Sequence, residues 1–590
     1  VWGPMHWAHA TSTDLIHWEE QPISLYPDEN GTMFSGCIVV DENNTSGFFN
    51  ETGSGLIAFI TCDGNGQRIK LAYSTDEGIT WTKVDKIAAD WTNDPLQDGA
   101  FRDPKVFKYN GKWFMVVAGG PLRIYSSENL VDWKCDSTYA DLHTECPDLY
   151  PIEVDGTVKW VLSRGGRYYK VGDFKEVDGN YTFVPDEAYV NKDGVMNFGK
   201  DSYAAMTYYV QDFGYEGEMT IPDIVELNWM NTWEDGICNL VGSTLNQSFN
   251  GTFNLNLKLG LINDNGTYVL TQMPVDAYNT LKGQAVTLKD ETINGKKKLD
   301  FTGDSYLIEA TFKPEEGVTK VGFNVRVGQE EKTVVSYDLN TSELSIDRSQ
   351  SGVIINEGFA RVDKQSNVSR NADGSITLHI YVDRASVEVF NGDYTATGAN
   401  QIFPSLTSLD VEAFSEGGQS ILNADIYPMG TLWDKETPTN PISIGSSSKS
   451  ETNIYVGETT TLSAYVVPLE VSQQITWEVE GDVVSLDKTS GTEVTVSANK
   501  KGTAKVKAIA SVDNSIYKDF TLKVNENHFN TTVEASSVAG NWHVEDEYLI
   551  VSNNGSNDYY MSNTKHKGAY TTSFTINYEK GLVNIIVSSK

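Results

Sequence analysis

The chain has 590 residues, 11% of them aromatic, and its 45 Lys and Arg against 81 Asp and Glu give a formal net charge of −36. This length exceeds what one hydrophobic core serves, so we expect roughly three to five domains. The negative charge excludes a nucleic-acid partner, because phosphates would be repelled, and no apolar run reaches the roughly 18 residues of a membrane span.

A short pattern that ends in Trp occurs three times in the first part of the chain. It covers residues 12–18 (STDLIHW), 74–81 (STDEGITW) and 126–133 (SSENLVDW). Ser followed by an acidic residue favours a turn, and the Trp is expected to pack at the start of the next strand. The copies begin 62 and 52 residues apart, which is close to the size of a four-stranded propeller blade. The sequence therefore predicts a β-propeller.

From about Val275 the sequence predicts β-sandwiches instead. In residues 375–390 (SITLHIYVDRASVEVF), apolar side chains alternate from Ile376 to Val382, and a turn is expected at Asp383–Arg384. This alternation is typical of a half-buried antiparallel hairpin. The whole chain is therefore expected to be all-β.

The stretch at 433–453 is rich in Pro, Thr and Ser, and we expect it to be a linker. Short strands separated by turn residues follow it and together have the size of one immunoglobulin-like sandwich. A last segment begins near Asn527 and is expected to be too short for a stable β domain by itself.

Three polar stretches in the propeller region are candidates for a site: MFSGC at 33–37, FRDPKVF at 101–107 and TECPDLYP at 144–151. One end of the innermost strands of a propeller lines a central funnel, so polar residues at that end converge there. Taken alone, Asp103 before Pro104 also fits a simple turn, and Arg102 beside Asp103 also fits a surface ion pair of little energetic value.

Glu145 lies between Cys146 and Pro147, so we expect its carboxyl group to be partly buried and its pKa to be raised. A carboxylic acid that stays protonated near neutral pH can donate a proton to a leaving oxygen. Glycoside cleavage needs such a donor.

Four motifs together resemble glycoside hydrolase family 32, the fructan-cleaving invertases, levanases and inulinases. They are W-G-P-M-H-W-A-H-A-x-S-x-D-L-x-H-W from Trp2, F-S-G, F-R-D-P-K-V and E-C-P-D-L. GKDSYAAMTY at 199–208 and NWMNTW at 228–233 extend the resemblance, and YVDRASVEVF resembles the C-terminal sandwich of the same family. It covers roughly residues 1–430. Residues 442–524 resemble a bacterial immunoglobulin-like domain of group 2.

These resemblances imply three domains: a five-bladed propeller with a truncated first blade at 1–275, the hydrolase sandwich at 286–432 and the immunoglobulin-like domain at 438–526. The last segment, 527–590, resembles the start of a laminin-G-like or fructan-binding sandwich, so we expect a partial β-sandwich there that is a candidate carbohydrate-binding module.

The resemblance also implies roles for seven residues. Glu145 would be the acid/base and Asp103 the transition-state stabiliser, with Arg102 orienting both carboxylates. The remaining four would contact the sugar: Trp2, Phe34, Ser35 and Trp229.

The family's nucleophile is the Asp of an N-D-P-N-G stretch some 20–35 residues upstream of the first motif, which would fall before Val1. Asn93–Asp94–Pro95 resembles it in part, but it lacks the following Asn-Gly and stands out of order, so we expect only a turn there. The chain as given is therefore expected to be inactive without a preceding segment.

The implied activity is that of a retaining hydrolase that releases fructose from the non-reducing end of levan or inulin, with sucrose as a further candidate. Two alternatives stay open: a fructosyltransferase, which has the same site residues, and a non-catalytic fructan-binding surface adhesin. Secretion or attachment to a bacterial surface is expected, with the C-terminal modules contacting the cell surface or a polysaccharide.

Neither a metal nor a cofactor is expected. His6, His9 and His17 lack convincing ligand spacing and are expected to pack or to form hydrogen bonds. The cysteines are scattered and form no Cys-x-x-Cys pair, so they predict neither a zinc site nor a disulfide framework. They are Cys37, Cys62, Cys135, Cys146 and Cys238.

Overall fold

The computed structural model describes residues 3–64, 66–208, 221, 223–245, 249–432, 441, 443–446, 448–467 and 471–525, and the backbone of 541–545 and 548–552. The chain divides into two compact units, residues 1–447 with 464–473, and residues 448–463 with 474–590. No helix within the described ranges is both long and apolar enough to cross a bilayer.

The first unit begins with antiparallel sheets in which the strands are joined in sequence order. Sheet 1 has strands β1 (Trp7–Thr11) and β2 (Glu19–Leu25). Sheet 2 has β3 (Thr32–Asp41), β4 (Gly55–Gly64), β5 (Gly66–Ser74) and β6 (Thr82–Asp90). Sheet 3 has β7 (Arg102–Tyr109), β8 (Lys112–Ala118), β9 (Pro121–Ser127) and β10 (Lys134–His143).

Two further sheets of this kind follow. Sheet 4 has β11 (Pro147–Val154), β12 (Thr157–Arg164), β13 (Tyr168–Val177) and β14 (Asn180–Pro185), and the short β15 (Gly194–Val195) pairs with β13. Sheet 5 has β16 (Tyr203–Tyr208), β17 (Ile224–Trp229), β18 (Leu257–Asp264) and β19 (Thr267–Pro274).

Consecutive sheets are held together by apolar clusters between them. Residues that share a cluster across the four boundaries include Leu25 and Met33, Phe59 and Trp113, Phe107 and Trp160, and Tyr150 and Leu257. The first strands of neighbouring sheets are also in contact, β3 with β7, β7 with β11, and β11 with β16. Residues at one end of these first strands are therefore brought close to one another.

The three copies of the Trp pattern form the same turn between the last two strands of sheets 1, 2 and 3. In each copy the indole N–H donates to the carbonyl oxygen three residues earlier, and that earlier residue has a positive φ. The pairs are Trp18 and Leu15 at 3.1 Å, Trp81 and Gly78 at 2.8 Å, and Trp133 and Leu130 at 3.0 Å. The predicted turn, with Trp directly before the next strand, is confirmed.

A large antiparallel sheet follows sheet 5 and folds into two layers around one apolar core. Its last strand pairs with β22 through its first part and with β21 through its second part, so it runs through both layers. The strands are β20 (Val286–Thr302), β21 (Tyr306–Pro314), β22 (Lys320–Val327), β23 (Lys332–Asp338), β24 (Glu343–Gln350), β25 (Val362–Gln365), β26 (Ile376–Asp383), β27 (Ser386–Asn391), β28 (Thr397–Gln401) and β29 (Asp410–Pro428).

The hairpin predicted at 375–390 is confirmed, with one correction to its turn. Asp383 pairs with Ser386, so the two turn residues are Arg384 and Ala385 rather than Asp383 and Arg384. The alternating apolar residues from Ile376 to Val382 are buried in the core of the large sheet.

The chain also contains helices that the sequence did not indicate. Helix α1 (Ile237–Leu245) buries Ile237 and Val241 against Phe359 and Phe403, which come from the region of the large sheet. Short 3-10 segments lie at Glu187–Tyr189, Glu234–Gly236 and Asp276–Leu281.

The predicted linker contains a short strand, β30 (Ser443–Gly445), which pairs with β33 (Tyr465–Val467). The second unit has two sheets, ordered β31-β38-β37-β34 and β32-β36-β35. Their strands are β31 (Glu451–Tyr455), β32 (Thr459–Ser463), β34 (Ile475–Val479), β35 (Val484–Leu486), β36 (Glu493–Ala498), β37 (Gly502–Ala510) and β38 (Tyr517–Asn525).

Strands β39 (Asn541–Glu545) and β40 (Tyr548–Ser552) pair further along the chain. The rest of the segment predicted as a partial sandwich, from residue 527 onwards, lies outside the described residues.

Candidate active site

Arg102 and Asp103 open β7, the first strand of sheet 3. Asp103 has φ 60° and its side chain is almost fully buried. The left-handed region is costly for a residue that carries a Cβ, and Pro104 restricts Asp103 further. The amide of Asp103 donates to Oγ1 of Thr61 at 3.0 Å, which helps to hold this conformation. Strained residues of this kind cluster at functional sites.

Glu145 and Cys146 directly precede β11, the first strand of sheet 4. Cys146 also has a positive φ, 43°, and this conformation turns its amide towards sheet 3. The amide donates to Oδ2 of Asp103 at 3.0 Å, and the thiol lies 3.6 Å from the same oxygen. The structure thus joins the two predicted motifs, which are 43 residues apart.

Arg102 connects the two carboxylates. Its Nη2 donates to Oε1 of Glu145 at 2.5 Å, and its Nε lies 3.8 Å from Oδ2 of Asp103. Gln67 accepts a further bond from Nη1 at 3.1 Å. A Cβ on Gly119 would stand 2.5 Å from Cγ of Arg102, so glycine leaves the room that this arginine occupies. Arg102 and Asp103 therefore do not form the simple surface pair that was the alternative.

Tyr203 is a site residue that sequence reasoning missed. It opens β16, the first strand of sheet 5, and its hydroxyl donates to Oε2 of Glu145 at 2.6 Å. Each carboxylate oxygen of Glu145 thus accepts a short hydrogen bond. A signal was available, because Tyr203 lies within GKDSYAAMTY, a stretch already matched to the family.

The pKa values of the two carboxyl groups move in opposite directions. Burial raises the pKa of Asp103, although the Cys146 amide and the Arg102 guanidinium oppose the rise. Burial also raises the pKa of Glu145, but the hydrogen bonds from Tyr203 and Arg102 outweigh it, so the pKa lies below its usual value. The expected raised pKa of Glu145 is therefore wrong for this structure, because residues distant in sequence supply two donors.

Beside these residues lies an open cavity of about 450 Å³. Two glycines of its wall, Gly119 and Gly165, have positive φ. Its lining residues are Arg102, Gly119, Gly120, His143, Thr144, Glu145, Arg164, Gly165, Arg167, Tyr168 and Tyr203. Guanidinium groups, one accessible carboxylate and tyrosine rings around one cavity can bind a hydroxyl-rich ligand through hydrogen bonds and ring contacts together.

Trp229 lies beside this group. Its Cα is opposite that of Tyr203 in the pairing of β16 with β17, so the two side chains share one face of the sheet. Its ring is 5.3 Å from that of Trp233, which is 44% exposed. The position fits the predicted aromatic rim.

Phe34 and Ser35, which were also predicted to contact the sugar, are not among the residues that line the cavity. Phe34 and Ser35 lie in an irregular part of β3, where the carbonyl of Phe34 accepts from the Trp7 indole at 2.8 Å and Ser35 is exposed. Their contact with a sugar stays a prediction, and Trp2 lies outside the described residues.

Asp94 is occupied by structural contacts. Its side chain is buried, Oδ2 accepts from Nε of Arg123 at 3.0 Å, and Oδ1 accepts from the Tyr125 hydroxyl at 2.9 Å. A carboxylate held in this way fits the interpretation of 93–95 as a structural turn rather than a nucleophile.

Three family models match the chain. Residues 1–274 match the glycosyl hydrolases family 32 N-terminal domain, residues 276–428 the C-terminal domain of that family, and residues 442–518 the bacterial Ig-like domain (group 2).

Among curated proteins, the chain is 55% identical over 596 residues to a fructan beta-fructosidase of Streptococcus mutans, covering 100% of this chain and 42% of that protein. It is 35% identical to a levanase of Bacillus subtilis, covering 73% of this chain and 65% of the levanase. The chain thus spans less than two thirds of the length of both relatives.

Among solved structures, an exo-inulinase from Aspergillus awamori superposes with a TM-score of 0.64 at 29% identity, covering 73% of this chain and 91% of the inulinase chain. The two family 32 models and these relatives cover both the site and the large sheet. The chain belongs to glycosyl hydrolase family 32.

Proposed function

We propose that this protein is a retaining glycoside hydrolase that releases fructose from the non-reducing end of a β-fructan. One observation carries the proposal: Glu145 and Asp103, at the starts of different sheets, are joined through Arg102 and the Cys146 amide beside an open cavity. Glycoside hydrolysis needs a carboxyl group that acts as acid/base at the scissile bond, and Glu145 is placed to supply it.

In this proposal Glu145 is the acid/base and Asp103 binds fructose hydroxyls as the ring flattens towards an oxocarbenium ion. Arg102 orients both groups. A retaining mechanism also needs a nucleophilic carboxylate, for which the family uses the Asp of an N-D-P-N-G stretch. Its negative charge near Glu145 would raise the pKa of Glu145 and so favour the protonated form that donates to the leaving oxygen.

The proposed architecture is a five-bladed propeller at 1–275, formed by sheets 1 to 5, followed by the hydrolase sandwich at 286–432. The clusters between consecutive sheets and the contacts among their first strands support this arrangement. The Trp turn of sheet 1 matches those of sheets 2 and 3, so β1 and β2 correspond to the last two strands of a blade. The immunoglobulin-like domain at 438–526 follows, and a partial sandwich is proposed for 527–590, a segment of which the structure describes only the backbone of β39 and β40.

A polymeric fructan, levan or inulin, is the proposed substrate, with sucrose as a minor one. The named activities of the relatives support this class. Additional modules raise the effective concentration of an enzyme at a polymer surface, which gives no advantage with a free disaccharide. Secretion or attachment to a bacterial surface agrees with a relative named as an extracellular exo-inulinase.

The test is Glu145→Gln in the protein expressed from its natural gene, with any residues encoded before Val1. Fructose release from levan and from inulin should fall about 10²–10⁴-fold, because the proton donor is lost. The control is Glu153→Gln, an exposed residue of β11 that should keep normal activity. Fructose release by Glu145→Gln within two-fold of the parent protein would contradict the assignment.

A further inference from the structure

Residues 197–203, here called the connecting segment, join the sandwich to the candidate active site. The segment ends at Tyr203, the hydrogen-bond donor to Glu145. Its backbone pairs with β28 of the large sheet: the Phe198 amide donates to the carbonyl of Thr397 at 2.8 Å, and the Asp201 amide to that of Ala399 at 3.2 Å. The active-site end of β16 is therefore attached to a different part of the fold.

This attachment is close-packed. A Cβ on Gly199 would lie 2.2 Å from the carbonyl oxygen of Ala399, and a Cβ on Gly398 would lie 2.2 Å from the ring of Phe198. Both glycines thus allow a backbone approach that a larger residue would prevent. Such packing restricts sliding of the connecting segment along β28.

At its centre is a buried ion pair. Asp201 of the connecting segment and Arg348 of β24 are both fully buried, and Nη1 of Arg348 donates to Oδ2 of Asp201. The backbone amide of Gln401 donates to the same oxygen at 2.7 Å. The guanidinium carbon of Arg348 lies 4.0 Å from the centroid of the Phe359 ring. Removing one partner of such a pair leaves an uncompensated buried charge, so the pair fixes the position of the segment.

Arg167 holds the opposite side of the segment. Its Nη1 donates to the carbonyl oxygens of Gly199 at 2.7 Å and Lys200 at 3.0 Å, and its side chain also lines the cavity beside Glu145. The segment is therefore held from the cavity side at Gly199 and Lys200 and from the sandwich side at Asp201, two to four residues before Tyr203.

We infer that Asp201 and Arg348 are positioning residues for catalysis: through the connecting segment, the sandwich places the Tyr203 hydroxyl on Glu145. This inference rests on the proposed role of Glu145 as acid/base. The sandwich then contributes to the active site. If Asp201 and Arg348 had a purely structural role, substituting them would affect stability alone.

The pH dependence of activity separates these roles. The Tyr203 hydrogen bond lowers the pKa of Glu145, so losing it should raise that pKa. The acid must be protonated to donate, so the alkaline limb of the kcat/KM profile should move to higher pH. None of the variants replaces another titratable group around Glu145. These groups are Arg102, Asp103, His143, Cys146, Arg164, Arg167 and Tyr168.

The experiment compares Arg348→Met with Tyr203→Phe in the protein expressed from its natural gene. Both variants should move the alkaline limb upward, and Arg348→Met should lower kcat about ten- to a hundred-fold, the scale of a slightly misplaced catalytic group. The matched control is Arg326→Met, which removes another fully buried arginine of the same sandwich that caps the carbonyls of Ser405 and Ser408. It should leave the limb in place.

The inference would be overturned if the alkaline limb of the kcat/KM profile shifts in Tyr203→Phe but stays in place in Arg348→Met. Where Arg348→Met does not fold, the near-isosteric Asp201→Asn takes its place, with the same expectation and the same contrary result. Hydrogen exchange of the backbone amides at 197–208 tests the inference independently of activity. Exchange should be faster in Arg348→Met but not in Arg326→Met. Equal exchange rates in the two variants would overturn the inference. Normal activity of Glu145→Gln would instead contradict the proposed function, and hydrogen exchange would then test only whether the Asp201–Arg348 pair holds the connecting segment in place.

Discussion

The candidate active site and the immunoglobulin-like region use different backbone conformations. At the site, three non-glycine residues have positive φ: Asp103 at 60°, Cys146 at 43° and Ala204 at 54°. Among the described residues of 448–525, no non-glycine residue does. Local strain persists only where surrounding contacts hold it. Here those contacts bring the Cys146 amide, the Asp103 carboxylate and the Tyr203 hydroxyl together at the site.

The two regions also differ in what they bury. The sheets around the site bury ionisable side chains such as Asp103, Lys105, Asp148 and Glu226. In the described part of 448–525, every buried side chain is apolar. Mutations should therefore act on chemistry and pH response in the first region and on packing alone in the second.

Trp477→Ala should give the largest effect on stability. Trp477 is fully buried, its ring is tilted against that of Phe520 with centroids 5.8 Å apart, and its indole N–H donates to the Gly491 carbonyl at 2.7 Å. Its removal should lower the free energy of unfolding of the immunoglobulin-like region by about 3–5 kcal/mol. Urea unfolding measures this loss, and fructose release assayed below the transition should be unchanged. A parallel fall in activity would show that the two regions are not separate in function.

Glu226→Gln should change how stability depends on pH. Burial raises the pKa of Glu226 to about 8, so the folded protein keeps a proton that the unfolded chain releases above the ordinary glutamate pKa. The free energy of unfolding should therefore fall as pH rises from about 5 to 8, by roughly 2–4 kcal/mol. In Glu226→Gln that fall should largely disappear.

Urea midpoints at pH 5 and pH 8 measure this difference. Glu478→Gln, at an exposed position of the immunoglobulin-like region, is the control and should leave the pH dependence as it is. An equal fall in the parent protein and in Glu226→Gln would place the titrating group elsewhere.

Gly119→Ala should have the smallest effect of the three, about a ten-fold loss of fructose release. The added methyl group meets Arg102, which then shifts relative to Glu145, and the positive φ of 90° adds strain. Gly156→Ala is the matched control, because its φ is also positive, at 73°, but no atom lies within 4 Å of the new Cβ. Both should lose stability through the positive φ, and only Gly119→Ala should lose activity. Equal activity of the two variants would contradict the role given to Arg102.

Several parts of this structure could be predicted because the signal is local. The alternation from Ile376 to Val382 predicted a hairpin, and the Trp pattern predicted a turn. The motifs predicted that Arg102, Asp103 and Glu145 converge. The turn of the hairpin was one residue off because its register depends on the pairing of Asp383 with Ser386. Helix α1 was missed because it is nine residues long and its buried face packs on distant residues.

The electrostatics of the site could not be predicted from neighbouring residues. Cys146 and Pro147 indicated burial of Glu145, and burial does raise its pKa, but Arg102 and Tyr203 lie 43 and 58 residues away in sequence and reverse the result. The pair of Asp201 and Arg348 spans 147 residues. Contacts at such separations follow from tertiary packing, which no local pattern encodes.

The Trp turn has a consequence for folding kinetics. Each copy is complete within a few residues: the indole of Trp18, Trp81 or Trp133 bonds a carbonyl three positions earlier, and the strands it joins are direct sequence neighbours. Such hairpins close on a timescale of roughly microseconds, without waiting for distant chain segments. Folding of this region can therefore begin at several independent nuclei, and the slow step is the later docking of sheet against sheet, where contacts of high sequence separation form.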